Sequence, residues 1–130
     1  MIVRKALGNA TGEEVGESIR KNFVAAMRNG DKLCLDMGDK IPAFAEYASD
    51  GTFDPAIFFN FAEFKVEANH MPFVRDDENH GVGGINPGHG YARSDAFSCT
   101  VRSSVDTEEQ LQEVINGIPG FNEHFHHVIF

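Results

Sequence analysis

Between residues 11 and 30 apolar side chains recur at helical spacing. Val15, Ile19, Phe23 and Met27 follow at four-residue steps, with Val24 and Ala26 beside them. A stripe of that period predicts an amphipathic helix with one buried face. Thr11 stands where an N-cap belongs, Glu14 completes a capping box, and Asn29-Gly30 supplies a C-terminal stop. The pattern then switches to Lys32-Leu33-Cys34-Leu35-Asp36-Met37, short and nearly continuously apolar, which predicts a strand covered on both faces.

From Gly38 to about Tyr91 the periodicity weakens. Ile41-Pro42 through Ala48 reads as a short helix with proline in its first turn, and Asp54-Pro55 as a second helix start. Phe53, Phe58, Phe59, Phe61 and Phe64 crowd the next stretch. They are expected in the core, because a chain poor in leucine needs large apolar side chains somewhere. Residues 76–95, rich in glycine, predict a long loop.

The last third is regular again. Residues 96–101 alternate in β-like fashion, and Asp106 or Thr107 caps a helix that buries Leu111, Val114, Ile115 and Ile118. Gly117 and Pro119-Gly120 end that helix, and His127-Val128-Ile129-Phe130 reads as a final strand. Strand, helix and strand in succession form a βαβ crossover with parallel pairing and a right-handed connection. The helix and strand over 12–37 suit the same sheet. The expected fold is therefore α/β: one small three-layer domain over 1–130, with a mainly parallel sheet of about four strands.

Composition narrows the function classes. With 130 residues, 42% hydrophobic and 24% charged, the chain resembles an ordinary globular protein that needs neither disulfides nor metal to fold. Eleven basic against twenty acidic side chains leave a net charge of −9, which argues against a nucleic-acid partner. No lysine follows Lys65, so the second half supplies no Schiff-base or phosphate-binding lysine. Its acidity reads as a solubility feature. Cys34 and Cys99 fit no zinc or redox spacing and are expected to be free and buried in strands. The opening Met-Ile-Val-Arg-Lys-Ala-Leu-Gly is too short and polar for a signal h-region, and no apolar run reaches membrane length. A cytoplasmic protein without a membrane partner is expected.

Three clusters are candidates for chemistry. Asp36 and Asp39 lie at the C-terminal end of the predicted strand 32–37, the edge where α/β folds bind ligands, and two such carboxylates suit Mg²⁺. The plainer reading is that Asp36 receives a loop hydrogen bond. The helix, the Asn-Gly-Asp turn, the strand ending in Asp36, the later strand Phe97–Ser103 and the terminal His-Val-Ile-Phe together resemble the later portion of an AAA-type P-loop ATPase core. That resemblance implies a Walker B role for Leu33–Asp36 and a sensor-strand role for Phe97–Arg102. The chain departs from the family pattern in having no G-x-x-x-x-G-K-S/T loop to cradle phosphates. The resemblance thus implies a degenerate, non-hydrolysing relative.

The second cluster is the glycine-rich loop, where His80 and His89 are candidate acid–base or metal-binding groups. Its Gly81-Val82-Gly83-Gly84 is no dinucleotide fingerprint, having neither a strand before it nor a helix after it. The third is Glu123-His124-Phe125-His126-His127. On a strand His124 and His126 share a face and are candidate Zn²⁺ ligands, although two ligands are too few for a dedicated site. No cofactor beyond Zn or Mg is suggested, and no recognised nucleophile motif occurs.

The expectation is a non-catalytic binding or scaffold module with a protein partner. The alternative is a metal-assisted hydrolase using Asp36, Asp39, His80 and His89. A hydrolase requires a pocket on which carboxylates and imidazoles converge, a scaffold an exposed apolar surface.

Overall fold

The computed structural model describes residues 2–4, 12–39, 44–121 and 125–126. The periodic stripe folds as helix α1 (Gly12–Asn29), burying Val15, Ile19, Phe23, Val24, Ala26 and Met27. Gly30 ends it with a φ of +73°, a conformation glycine adopts without a Cβ clash. The Asp31 N–H donates to the Ala26 carbonyl at 2.9 Å, closing a Schellman-type turn. Thr11, the expected N-cap, lies outside the described residues, as do Ile41 and Pro42.

That turn leads straight into the sheet. Strands β1 (Ile2–Arg4), β2 (Lys32–Asp36) and β3 (Ser98–Arg102) pair in the order β1-β2-β3, all parallel. Cys34 faces Ile2 on one side and Thr100 on the other, and Asp36 faces Arg102. The fold is thus mixed α/β with a parallel sheet. Strand β1 escapes hydrophobic patterning because three residues are too few to display a period. The final strand expected at 127–130 lies outside the described residues.

Strand β2 is not covered equally on its two faces. Leu33 and Leu35 are each 1% exposed, whereas Cys34 and Asp36 are half-buried. The core lies on the leucine side, where α1 and the phenylalanines pack, and on the opposite side Lys32, Ser98, Thr100 and Arg102 are exposed. Both cysteines are free and half-buried.

The helix start at Asp54-Pro55 is real but brief. Helix α2 (Pro55–Phe58) is followed by α3 (Phe61–Phe64) and α4 (Glu67–His70) as single turns. Asp54 Oδ1 accepts from the Ala56 N–H at 3.1 Å, and Asn60 Oδ1 from Glu63 at 3.4 Å. These caps start α2 and α3, which send Phe58 and Phe64 inward, whereas α4 buries His70. Phe23 of α1 meets Phe58 at 5.0 Å and Phe64 at 5.9 Å, centroid to centroid, both edge-to-face. Phe61 is the exception, half-buried beside the core.

A 3-10 turn at Phe44–Tyr47 lies against α1. Gly12 and Gly16 permit the approach: a Cβ on Gly16 would stand 2.4 Å from the Tyr47 carbonyl oxygen, and one on Gly12 would stand 2.6 Å from that of Glu46. In the last third, α5 (Glu108–Asn116) is capped by Thr107, whose Oγ1 accepts from the Gln110 N–H at 3.2 Å. Asp106 instead donates its own N–H to Gln110 Oε1 at 2.8 Å. Among the described residues no helix is long and apolar enough to cross a membrane.

Candidate functional site

Asp36 closes β2, and the tight turn at Gly38 (φ +62°) folds the chain back over its carboxylate. Oδ1 accepts from the Gly38 N–H at 3.0 Å and from Arg102 Nη1 at 3.0 Å. The strand register makes Asp36 and Arg102 lateral neighbours, so the ion pair follows from the ladder itself. The Asp36 side chain is 13% exposed and that of Arg102 60%. A carboxylate already holding a guanidinium and a backbone donor has little reason to recruit Mg²⁺, because its charge is neutralised from within. Asp39 stands three residues on and is exposed.

His80 and His89 belong to a loop tied to α1 near both ends. Near its start Glu78 accepts from Arg20 Nη1 at 2.6 Å and from the Arg75 N–H at 2.9 Å, while its carbonyl accepts from Arg28 Nη1 at 3.2 Å. At its end the Tyr91 hydroxyl donates to the Val24 carbonyl at 2.8 Å. Asn79 joins the two ends by accepting from the Tyr91 N–H at 3.3 Å and donating to the Gly88 carbonyl at 3.0 Å. Burial raises the Tyr91 phenol above its ordinary value, so it remains a neutral donor. His80 Nδ1 lies 2.9 Å from the Gly81 carbonyl, and His89 is exposed. His126 is also exposed, and His124 lies outside the described residues. Among the described residues no three His, Cys, Asp or Glu side chains gather as a metal site does.

What the structure does form is an apolar groove of about 970 Å³ beside β3. Phe61, Val101, Leu111 and Ile115 of α5, Phe121 and Phe125 line it. Cys99 lies in it, and burial, with the neighbouring Cys34 adding to the effect, pushes that thiol up to about 12. Arg102 and His126 are its basic groups, and no Asp or Glu is among its described lining residues.

Two buried polar residues were not marked by sequence reasoning. Arg20 is 1% exposed, and His70, 4% exposed, has Nδ1 3.0 Å from the Phe64 carbonyl and its ring beside Tyr91. Arg20 had a signal: with Gly16, Phe23 and Met27 it falls on the apolar side of α1, where a cation needs internal partners. His70 had none, because its burial depends on how three separate turns pack.

The fold and groove define a mixed α/β protein with a parallel sheet and an apolar groove beside β3. No family model, curated protein or solved structure matches the chain.

Proposed function

We propose that the chain is a non-catalytic binding or scaffold module, cytoplasmic, and a degenerate relative of the AAA-type ATPase core. The observation that carries this reading is the state of Asp36. Its carboxylate, in the Walker B-like position, is paired with Arg102 and the Gly38 N–H. The parallel adjacency of β2 and β3 supports the assignment of Phe97–Arg102 as the sensor-like strand. The apolar groove, free of carboxylates among its described lining, suits a partner surface better than a hydrolytic pocket. The finer architecture belongs to the same proposal: three layers, with a mainly parallel sheet of about four strands. Free cysteines support the reducing compartment.

The test is thermal unfolding of the full chain with and without ATP and Mg²⁺. An unchanged Tm is expected, since a nucleotide that does not bind cannot stabilise the native state. A saturable rise in Tm at micromolar ATP would overturn the reading.

A further inference from the structure

Glycine follows an asparagine or aspartate at Asn29-Gly30, Asp50-Gly51 and Asn116-Gly117. Because glycine has no Cβ, its peptide nitrogen can approach the preceding side-chain carbonyl carbon and close a five-membered imide. Closure needs a main-chain nitrogen that can turn toward that side chain. The fold therefore decides which of these pairs can react.

The asparagine pairs are held. Asn29 and Asn116 are the last residues of α1 and α5. The Gly117 N–H donates to the carbonyls of Glu113 at 3.0 Å and Val114 at 3.2 Å, and just beyond Gly30 the Asp31 N–H donates to Ala26 at 2.9 Å. Turning either glycine nitrogen toward its asparagine would break these helix-end bonds. The aspartate pair stands in a different setting. The Ser49 carbonyl accepts from the N–H groups of Thr52 at 3.0 Å and Phe53 at 3.1 Å, and Gly51 has a φ of +71°, as in a type II turn. Such a turn closes without using the amide between its two central residues. Among the described residues neither the Gly51 N–H nor the Asp50 carboxylate has a hydrogen-bond or ion-pair partner. Both residues are exposed, and nothing lies within 4 Å of where a Gly51 Cβ would stand.

We propose that Asp50-Gly51 is a modification site at which the folded chain rearranges to isoaspartate, while the fold closes both Asn-Gly pairs to the same chemistry. The Gly51 nitrogen bonds to Asp50 Cγ and gives up its proton as the carboxyl gives up a hydroxyl, so a water departs and the imide forms. Water then adds back at one of the imide carbonyls. Addition at the side-chain carbonyl restores aspartate. Addition at the main-chain carbonyl breaks the original C–N bond, frees the α-carboxylate and leaves the chain running through Cβ. Mass is unchanged, and nothing is oxidised or reduced. The product lengthens the turn by one backbone atom. It thereby shifts the Gly51 carbonyl and Thr52 Oγ1, which Arg75 Nη2 holds at 2.8 and 3.5 Å, and the Ser49–Phe53 bridge that leads into the core. The inference does not depend on the binding-module reading.

Ageing of the full chain, folded in neutral buffer and unfolded in guanidinium chloride, tests it. Aliquots are cut with an endoprotease that cleaves before aspartate but not before isoaspartate. Mass spectrometry then follows the uncut peptide at Asp50 and the mass gained where an asparagine amide becomes a carboxyl. Unfolding is expected to speed the asparagine changes by about tenfold or more, and to alter the Asp50 rate by less than about threefold. Asp50→Glu is the control, since its longer side chain would have to close a six-membered ring. The parent should lose Tm on ageing and the variant should keep it. An Asp50 rate that rises on unfolding as much as the asparagine rates overturns the proposal. So does an Asn29 or Asn116 that changes as fast in the folded chain as in the unfolded one, or an equal change of Tm in aged parent and aged variant.

Discussion

The Arg20 guanidinium meets the Glu78 carboxylate at 2.6 Å across 58 residues of chain. Its remaining donors are also filled: Nε and Nη2 reach the two Glu17 oxygens at 2.8 and 2.6 Å, Nη1 reaches the Phe73 carbonyl at 2.7 Å, and Nη2 reaches the second Glu78 oxygen at 3.3 Å. All five N–H groups of the buried cation thus have partners, which is the condition for keeping a guanidinium out of water. Both carboxylates raise its pKa above the ordinary value, so it stays charged. Through this one side chain α1 holds the 3-10 turn Met71–Phe73 and the start of the glycine-rich loop.

Replacing Arg20 by methionine should therefore destabilise the fold by about 3–5 kcal/mol, the usual cost of breaking a buried pair from one side. Urea denaturation measures it. A loss below about 1 kcal/mol would place the pair among ordinary surface bridges.

Glu17 gives this network a pH dependence. The hydrogen bond from Arg20 holds its carboxyl below the ordinary 4.5, against an opposing push from burial. A carboxylate depressed in the folded state contributes stability above its unfolded pKa and loses it as pH falls through the folded value. Glu17→Gln should thus be less stable than the parent at neutral pH, with the gap closing in acid well below 4.5. Urea midpoints across that range decide the matter, and a gap that is constant with pH would contradict it.

Phe58 and Phe61 separate core from groove. Phe58 is 2% exposed and packed among rings, so Phe58→Ala should cost about 3–5 kcal/mol. Phe61 is half-buried at the groove wall, and Phe61→Ala should cost clearly less. Equal losses in chemical denaturation would remove the distinction.

Gly16→Ala sets two effects against each other. Alanine gains about 1 kcal/mol of helix propensity over glycine. Its Cβ would also stand 2.4 Å from the Tyr47 carbonyl oxygen, where backbone must move. Overpacking of that kind costs about 1–3 kcal/mol, so a lowered Tm is expected. A raised Tm would show that the 3-10 turn gives way freely.

The legible parts of this protein are those whose causes are local. Helices α1 and α5 follow from apolar spacing and from caps within a few residues, such as Thr107 with Gln110 and Gly30 with Asp31. The strands β2 and β3 also stand out in the sequence as apolar or alternating runs. The break-up of residues 55–70 into three turns was less visible, since Asp54-Pro55 announces where a helix starts but the second cap at Asn60 decides how soon it ends.

The site residues divide in the same way. Asp36 could be singled out from its place at the end of an apolar run, but its partner Arg102 could not, because their pairing depends on the register of two strands 66 residues apart. The groove depends on the same register and on where α5 lies beside β3. By itself the sequence determined the two long helices, two of the strands and the acidic, phenylalanine-rich composition, since capping, period and burial preference act over a few residues. Tertiary structure alone decided that β1 joins the sheet, that Arg20 and His70 are interior, that Asp36 is neutralised, and that β3 borders an apolar hollow. Each of these rests on contacts between distant segments, whose geometry is set by packing rather than by neighbours in the chain.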